Sequence, residues 1–455
     1  MKVAYRPILP QQLPSLPQVQ RLGARWLRDS EIVARVLPFK VNQYVVDELI
    51  DWSRVPDDPI FQLTFPHRDM LPEDHFQSLQ AALDSGIGET AVEQLIAGIR
   101  ERLNPHPADQ VAKNTPAFGD VSIPGLQHKY RETVLFFPKA GQTCHAYCSF
   151  CFRWPQFVDG GSLRIALADA AMLTAYLRAH REVTDLLVTG GDPLTMTTRR
   201  LSAYLEGLLE PGLEHVQNIR LGTKALSFWP HRFVDGEDAD ELLRLIERLS
   251  EAGRHVAIML HVNHPVELST AIAQQAIRRL RSAGAQLRSQ SPVLRHVNDS
   301  AAVWSALWKE QVRLGIHPYY MFVVRDTGAK SRFDLPLVRA LDIYQHAIRT
   351  VSGLARTARG PSMSTSGGKV EIKGVISLGD SRAFVLNYLQ ARDPDLVGRP
   401  FLARYDEHAT WFDELRPANE DAREFFPPGH DCMDDLAALS RPQPSTTAIA
   451  STSIR

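Results

Sequence analysis

The sequence predicts an α/β fold built around a parallel sheet. From about residue 130, short β-rich runs alternate with longer amphipathic stretches, a pattern typical of parallel βαβ units. The chain has 455 residues, 44% of them hydrophobic, and can therefore bury a large core. This length is compatible with two or three domains, or with one barrel that carries extensions.

The sequence pattern of the first part of the chain predicts helices. Residues from about 20 to 115 show helical periodicity that prolines interrupt, for example from Glu73 to Leu83 and from Thr90 to Leu103. We therefore predict a helical N-terminal extension over residues 1–120.

The next part, residues 121–375, contains six short β-rich runs that each precede an amphipathic stretch. The predicted strands are Thr133 to Phe137, Asp185 to Thr189, Asn218 to Gly222, His255 to His261, Ala285 to Ser289 and Tyr319 to Val324. The predicted helices are Ile165 to Arg181, Arg199 to Leu209, Ala239 to Ala252, Thr270 to Ala283, Ala301 to Leu314 and Leu337 to Val351.

The last part, residues 376–455, mixes short apolar runs with prolines and shows no clear pattern. We treat it as a C-terminal extension. Residues from about 440 to 455 are rich in Ser, Thr and Pro, a composition that predicts disorder.

Charge and hydropathy exclude several classes of protein. The 51 basic and 52 acidic side chains balance, and no basic run suggests a nucleic-acid partner. No segment approaches the roughly 18 uncharged apolar residues of a membrane span, and the proline-rich N-terminus lacks the apolar core of a secretion signal. We therefore expect a cytoplasmic protein that uses neither a membrane nor nucleic acid.

The cysteines are the most informative residues. Cys144, Cys148 and Cys151 lie within eight residues, and Cys432 is far away. A cubane iron–sulfur cluster normally takes four thiolates, so three close ones predict an iron left open for another ligand. His145 lies inside the loop, which keeps a Cys/His zinc site as an alternative. A disulfide framework fits poorly, since the triplet leaves an odd thiol.

Ligands of parallel α/β folds bind at the carboxyl ends of the strands, so residues that follow strands are candidates for a site. The cysteine loop follows the first predicted strand, and Gly190-Gly191-Asp192-Pro193 follows the second. His261-Val262-Asn263-His264-Pro265 follows the fourth, and Gln290 follows the fifth. Two adjacent glycines allow a close approach of backbone to a ligand.

The CxxxCxxC loop resembles the signature of radical SAM enzymes. Together with the GGDP, HVNHP, QSPVLRHVND and PYY segments, it looks like the lysine 2,3-aminomutase branch over about residues 120–375. The resemblance implies a partial (β/α)6 barrel, with which six βα units agree. It also implies a [4Fe–4S] cluster on the three cysteines, with S-adenosylmethionine on the open iron.

The resemblance implies a second cofactor, pyridoxal 5'-phosphate, bound as a Schiff base to Lys369 of the SGGK segment. This lysine lies at the family's distance from Pro318-Tyr319-Tyr320. The resemblance also implies roles for further individual residues. Cofactor contacts are implied for Lys129, Gly190, Gly191, Asp192, His264 and Gln290, and substrate contacts for Arg153, Asp299 and Ser362.

The implied activity is that of an isomerase, an amino acid 2,3-aminomutase. A 5'-deoxyadenosyl radical would take the C3 hydrogen, and the α-amino group would move to the β-carbon of lysine or a related polar amino acid. Lysine is not secured as the substrate, because Asp299 matches one ammonium-binding aspartate of the family and Ser362 replaces the other. Asp299 would also oppose glutamate.

The resemblance implies a flavodoxin or ferredoxin as electron donor and is compatible with a homo-oligomer. Cys432 alone cannot supply the interfacial zinc site of some relatives. Two alternatives stay open. One is a radical SAM aminomutase that acts on a lysine of a protein or peptide, and the other is a non-enzymatic iron–sulfur or zinc protein.

Overall fold

One eleven-stranded sheet dominates the computed structural model, which describes residues 3–106, 113–158 and 165–427. Its strands stand side by side in the order of the sequence. They are β1 Leu126–Tyr130, β2 Thr133–Phe136, β3 Asp185–Val188, β4 Asn218–Thr223, β5 His255–His261, β6 Gln286–Val293, β7 His317–Val323, β8 Arg359–Ser364, β9 Gly368–Leu378, β10 Ser381–Ala391 and β11 Pro400–Arg404.

Seven neighbouring strands of this sheet, β2 to β8, run parallel. β1 pairs antiparallel with β2, and β8 to β11 continue the other edge as an antiparallel run. Crossovers between parallel strands are almost always right-handed, so a sheet wound in sequence order carries its helices on one face. The opposite face and the carboxyl ends of the strands are then left for a site.

The predicted mixed α/β fold with a sheet rich in parallel strands is confirmed. The six predicted strands are β2 to β7, and their ends differ by a few residues at most, with β6 extending to Val293. The count of six parallel strands was too low, because β8 is a seventh. The antiparallel strands β1 and β9 to β11 were also absent from the prediction.

Six helices connect or follow the parallel strands at the predicted places. They are Ala170–Ala179, Thr198–Leu205 with its 3-10 continuation Glu206–Leu209, Glu237–Glu251, Ala271–Ser282, Ala301–Arg313 and Leu337–Arg349. Shorter helices are Pro155–Val158, Ala225–Phe228 and Lys330–Phe333. The N-terminal helices are Pro17–Gln20, Gly23–Val36, Pro59–Thr64, Glu73–Asp84 and Glu89–Arg102.

Local signals define the ends of the helices Ala271–Ser282 and Ala301–Arg313. The hydroxyls of Thr270 and Ser300 accept hydrogen bonds from backbone N–H groups in the first turns. Gly284 and Gly315 follow the two helices with φ of 88° and 75°, the left-handed conformation that ends a helix at low cost in glycine.

Three hydrophobic clusters hold the molecule together. The largest joins the sheet to its helices and includes Leu186 and Trp304. A second joins the N-terminal helices to the cysteine loop through Phe150 and Trp154, and a third packs β9 to β11 against the helix Leu337–Arg349. The N-terminal helices therefore cover the carboxyl ends of the strands.

The structure describes part of the predicted C-terminal extension. β9 passes through residue 376, the predicted start of that extension, without a break. Cys432 and the tail from about residue 440 lie outside the described residues. In the described ranges, no helix combines the length and the apolar character that crossing a bilayer requires.

Replacing Leu186 by alanine tests the central core. Leu186 is fully buried between the sheet and its helices, so we expect Leu186→Ala to lower the free energy of unfolding by about 2–5 kcal/mol. The matched control is Leu354→Ala, since Leu354 is 73% exposed. Urea unfolding of the two variants measures the difference, and equal losses would contradict this packing.

Candidate active site

A cavity of about 390 Å³ lies at the carboxyl ends of the parallel strands. Residues from the cysteine loop, the strand ends and the segment around Lys369 form its walls. Ten of the predicted site residues line it, namely Cys144, Cys148, Cys151, Lys129, Gly190, Gly191, Asp192, Arg153, Gln290 and Lys369. Segments that are distant in the sequence therefore meet in one place.

The N-terminal extension fixes the backbone of the cysteine loop. The N–H of Tyr147 donates to the carbonyl of Lys40 at 2.8 Å, and the N–H of Ser149 donates to that of Leu63 at 2.9 Å. The Tyr5 hydroxyl donates to the carbonyl of His145 at 2.7 Å. These bonds satisfy backbone groups that the short loop cannot satisfy internally.

A lysine of the same extension reaches the loop with its side chain. The Lys40 Nζ donates to the Thr143 hydroxyl at 2.6 Å and lies 4.6 Å from the centroid of the Tyr147 ring. Burial lowers the pKa of Lys40. On its other side, Tyr147 stacks on Phe157, with 4.6 Å between the ring centroids. The loop is thus held by polar and aromatic contacts together.

Burial raises the pKa of all three cysteine thiols, and that of Cys148 to about 12. A bound metal would reverse this effect, because metal ligation deprotonates a thiol outright. The site therefore suits thiolates only when they share the positive charge of a metal centre.

No group of ligand atoms as compact as a zinc site includes the cysteines among the described residues. Zinc–sulfur bonds of about 2.3 Å keep the ligand atoms of one zinc ion within about 4.6 Å of each other. Among the described residues, only one set of His, Cys or carboxylate side chains has its ligand atoms that close together. It consists of His106, Asp326 and Asp413. The cysteines and His145 do not meet this condition, whereas a cluster spreads its thiolates over different irons.

Gly190 and Gly191 follow β3 and pack directly on the backbone before Cys144. A Cβ on Gly191 would lie 2.4 Å from the carbonyl oxygen of Thr143 and 2.5 Å from its nitrogen. A Cβ on Gly190, whose φ is 143°, would lie 2.4 Å from the Gln142 side chain. The glycines are therefore required for contact between two loops of the site.

Asp192 joins three loops. Its N–H donates to the carbonyls of Gly141 and Thr143, at 3.1 Å and 2.7 Å. Its carboxylate accepts from the Thr223 hydroxyl and from the N–H groups of Leu194 and Lys224, all within 2.9 Å. Asp192, predicted as a cofactor contact, thus uses its side chain to position the loops around the cavity.

A buried ion pair beside the cysteine loop was not predicted. The Lys224 Nζ lies 2.5 Å from a carboxylate oxygen of Glu267 and also donates to the Asn263 side chain at 2.9 Å. Glu267 is fully buried, and its other oxygen accepts from the N–H groups of Asn263 and His264. Lys224 follows β4 directly, so it belongs to the residues after strand ends that are candidates for a site.

Lys369, on β9, carries an amine suited to attack a carbonyl. Burial, with the charges of Arg220, Arg359 and Lys129, lowers the pKa of Lys369 to about 7. Its Nζ lies 4.0 Å from the centroid of the Tyr320 ring. A lysine with a lowered pKa is partly neutral at physiological pH and therefore nucleophilic.

Two cations beside Lys369 line the cavity and suit a phosphate. The Lys129 Nζ donates to the carbonyl of Thr365. The Arg220 Nε donates to Asp185 at 2.7 Å. Arg220 was not predicted, although it lies on β4, three residues before the last residue of that strand.

Arg153 lines the cavity next to the cysteine loop. Its guanidinium carbon lies 5.0 Å from the centroid of the Phe152 ring and 4.6 Å from that of Phe137. Burial lowers the pKa of Arg153 to about 10, which leaves it positively charged at neutral pH. A charged fork facing a cavity is suited to bind a carboxylate.

Three predicted contacts are not in the cavity walls. His264 caps the 3-10 helix Pro265–Leu268, with its Nδ1 accepting from the Val266 N–H at 3.4 Å. Asp299 accepts from the His296 N–H at 3.2 Å. Ser362 is fully buried inside the sheet, where its hydroxyl lies 3.5 Å from the carbonyl of Met321.

His261, at the end of β5, lines the cavity where His264 does not. Its ring packs on Phe150, with 5.5 Å between the centroids. Burial lowers the pKa of His261 well below its ordinary value, and its Nε2 has no hydrogen-bond partner among the described residues. A neutral, buried imidazole without a partner fits a site that binds a ligand.

No protein-family model matches the chain. A protein of Aquifex aeolicus named putative L-lysine 2,3-aminomutase is 31% identical over 388 residues, which are 85% of this chain and 90% of that protein. L-lysine 2,3-aminomutases of Haemophilus influenzae and Escherichia coli are 29% and 28% identical over 51% of this chain. Those matches span 64% and 63% of the two proteins, less than two thirds of their lengths.

Solved structures give a weaker likeness. A radical SAM methyltransferase from Sphaerobacter thermophilus is 18% identical with a TM-score of 0.35, over 51% of this chain and 68% of that one. SuiB of Streptococcus suis is 12% identical with a TM-score of 0.34, over 61% of this chain and 56% of that one. Such TM-scores support no conclusion by themselves.

Adding a methyl group to Gly191 tests the contact between the glycines and the cysteine loop. We expect Gly191→Ala to displace Thr143 and to reduce the iron bound after anaerobic reconstitution, measured as iron and sulfide per chain. The matched control is Gly98→Ala, because an added Cβ there meets no atom within 4 Å. Full iron uptake by Gly191→Ala would contradict the tight contact.

The reactivity of Lys369 toward pyridoxal phosphate tests its lowered pKa. Only the neutral amine attacks an aldehyde, so the rate should rise with pH through about 7 and then level off. An ordinary lysine, with a pKa of about 10.4, would keep accelerating. Stopped-flow absorbance measures the rate, with Lys369→Ala as the blank. A rate that still climbs steeply well above neutral pH would contradict the lowered pKa.

Proposed function

Because the chain belongs to the lysine 2,3-aminomutase family of radical SAM enzymes, we propose that it is an amino acid 2,3-aminomutase. The substrate is a free amino acid, lysine or another polar one, and the reaction moves its α-amino group to the β-carbon. The enzyme is then an isomerase whose product is a β-amino acid.

One observation carries this proposal. Three cysteine thiols and the amine of Lys369 border the same cavity, although the cysteine loop follows β2 and Lys369 lies on β9, beyond the other edge of the parallel strands. A reaction that needs a radical source and an amino-group carrier requires both within reach of one substrate. A binding protein with a structural cluster has no use for a nucleophilic lysine at the same cavity.

The residues that line the cavity fit the iron–sulfur cluster, S-adenosylmethionine and pyridoxal phosphate. The family implies a [4Fe–4S] cluster and S-adenosylmethionine, for which Cys144, Cys148 and Cys151 supply three thiolates and leave one iron open. We propose pyridoxal phosphate as the further cofactor. When bound, the three groups together supply a 5'-deoxyadenosyl radical that takes the β-hydrogen and a conjugated ring that carries the nitrogen.

The roles of the side chains follow from their places in the cavity. The Lys369 Nζ, neutral above a pH of about 7, attaches pyridoxal phosphate, and Lys129 and Arg220 bind its phosphate. The guanidinium of Arg153 binds the α-carboxylate of the substrate and so sets the distance of the β-carbon from the cluster. The N-terminal helices cover the cysteine loop and restrict water and oxygen there.

The proposal extends to the fold and to the source of electrons. The strands β2 to β7 with their helices would form the partial (β/α)6 barrel of radical SAM enzymes, and β8 to β11 would extend it. A flavodoxin or ferredoxin would deliver the electron. The zinc alternative is disfavoured, since a structural zinc site gives no role to the Lys369 amine at the same cavity.

A direct assay tests the reaction. Anaerobically reconstituted protein is incubated with S-adenosylmethionine, a reductant and a mixture of free amino acids, and mass spectrometry follows β-isomers. We expect one β-amino acid to accumulate, dependent on S-adenosylmethionine and on the cysteines, with Cys148→Ala as the inactive control. Turnover of lysine only within a peptide or protein would contradict the proposed free substrate.

Removal of the Lys369 amine separates the two cofactor sites. We expect Lys369→Ala to lose the visible absorbance of bound pyridoxal phosphate and all isomerisation, while the iron content stays unchanged. The matched control is Lys373→Ala on the same strand, because the side chain of Lys373 is 54% exposed. An unchanged pyridoxal band in Lys369→Ala would assign the cofactor to another lysine.

A further inference from the structure

One imidazole and two carboxylates meet outside the active-site cavity. The His106 Nε2 lies 3.1 Å from an oxygen of Asp326 and 3.6 Å from an oxygen of Asp413. The three atoms lie within 4.8 Å of one another, and no other set of three His, Cys, Asp or Glu side chains in the described ranges is as compact. None of the three residues lines the cavity.

The three side chains come from segments that are far apart in the sequence. His106 follows the helix Glu89–Arg102, Asp326 follows β7, and Asp413 lies in the 3-10 helix Phe412–Glu414. The group therefore joins the N-terminal extension, the carboxyl end of a parallel strand and the C-terminal extension. Ion pairs between residues three or four apart arise within one helix, whereas this group depends on the tertiary fold.

Separate hydrogen bonds hold the segments of the imidazole and of the first carboxylate together. The Thr327 hydroxyl and the Gly328 N–H both donate to the carbonyl of Leu103, at 3.0 Å and 2.9 Å. Gly328 has a φ of 65°, and a Cβ there would lie 2.8 Å from the Trp154 ring. The two segments thus lie side by side without help from the three side chains, which lowers the cost of ordering an ion site.

The neighbours of Asp413 fix the position of the third side chain. Phe412 is fully buried, and its ring stacks on Phe426 with 4.8 Å between the centroids. On the other side, Glu414 pairs with Lys330 at 2.9 Å, so the 3-10 helix is tied to the segment after β7. All three side chains are therefore carried by backbone that other contacts hold.

The distances match those between the ligands of one metal ion. Zinc–nitrogen and zinc–oxygen bonds of about 2.0–2.2 Å at tetrahedral angles place the ligand atoms about 3.3–3.6 Å apart. The two distances from the His106 Nε2, 3.1 Å and 3.6 Å, lie within a few tenths of an ångström of this range. Small rotations of the side chains are enough to place one ion among the three atoms.

The charges of the group also favour a cation. Asp326 is only 12% exposed at its side chain, so water screens its charge only in part. Within the described ranges its ion-pair partner is His106, which is charged only when protonated. A divalent ion neutralises both carboxylates and uses the lone pair of a neutral imidazole at the same time.

We propose that His106, Asp326 and Asp413 bind one divalent transition-metal ion, zinc before others, with water completing its coordination. An imidazole with carboxylates suits zinc, whereas magnesium and calcium take oxygen ligands only. The His106 side chain is 44% exposed, which leaves the ion and its water a path from solvent. The ion fastens both extensions to the end of β7 and is independent of the aminomutase reaction.

The expected effect is large because each side chain is a direct ligand. Loss of an outer-shell partner of a metal ligand costs about ten- to a hundred-fold in affinity, so loss of a ligand should cost at least about a hundred-fold. We expect Asp326→Asn and His106→Gln to weaken zinc binding by this factor. Zinc should also raise the midpoint of thermal unfolding of the unmodified enzyme, because it binds the folded chain.

The experiment uses the cluster-loaded enzyme under anaerobic conditions, since free cysteine thiols would themselves take zinc. Competition with a fluorescent zinc indicator measures the affinity, and mass spectrometry of the elements measures zinc and iron per chain. Magnesium is titrated in parallel. The matched control is His346→Gln, because His346 lies 3.0 Å from Asp342 in a pair on one helix that lacks a third ligand.

One additional zinc ion per chain, held by the unmodified enzyme and by His346→Gln at full iron content and lost in the other two variants, supports the proposal. Equal zinc binding by all four proteins overturns it. Failure of the unmodified enzyme to bind zinc overturns it too and leaves an ion pair. Zinc uptake only at the expense of iron places the metal at the cysteines and also overturns it. If Asp326→Asn fails to fold, the exposed His106→Gln decides.

Discussion

The arrangement of the site depends on the hydrogen bonds of Asp192. Its backbone N–H donates to the loop that leads into the cysteines. Its carboxylate accepts hydrogen bonds from the end of β4 and from the turn after β3. Buried carboxylates are stable only when their oxygens are fully hydrogen-bonded, and the three donors here provide that. The two glycines before Asp192 allow the loops to touch, so the carboxyl ends of three strands are held in one arrangement around the cavity.

The N-terminal helices determine how the cysteine loop is buried and thereby the pKa of its thiols. They bury the cysteine loop, shield it from solvent and raise the pKa of its thiols, so the thiolates form only together with a bound metal centre. At the far side of the same cavity, burial and neighbouring cations lower the pKa of Lys369. Burial thus acts in opposite directions on the two kinds of group: it favours the neutral amine that attacks an aldehyde, and it makes the thiolates depend on a bound metal.

Much of this fold could be predicted from sequence periodicity, and much of the site from residues that follow strands. The strands β2 to β7 are short apolar runs before amphipathic helices, so their signal is local. β8 was missed because its segment RGPSMS contains Gly, Pro and two Ser, which carry no strand signal. It is a strand because it pairs with β7. The two backbones approach so closely that a Cβ on Gly360 would lie 2.2 Å from the Met321 carbonyl oxygen.

Two of the predicted contacts that lie outside the cavity walls, His264 and Asp299, share a physical cause. Motif position places a residue near a strand end, but side-chain direction depends on hydrogen bonds that the sequence does not show. His264 and Asp299 turn back to their own loops, while His261 and Arg325 face the cavity. The pair of Lys224 and Glu267 joins loops 43 residues apart, so only the folded chain shows it.

Electron paramagnetic resonance of the anaerobically reconstituted, reduced protein tests the central claim most directly, with spectra taken before and after addition of S-adenosylmethionine. A cluster held by Cys144, Cys148 and Cys151 with one open iron should give a [4Fe–4S] signal that changes when S-adenosylmethionine binds. A protein that takes up zinc and no iron, or a cluster signal that S-adenosylmethionine leaves unchanged, would contradict it.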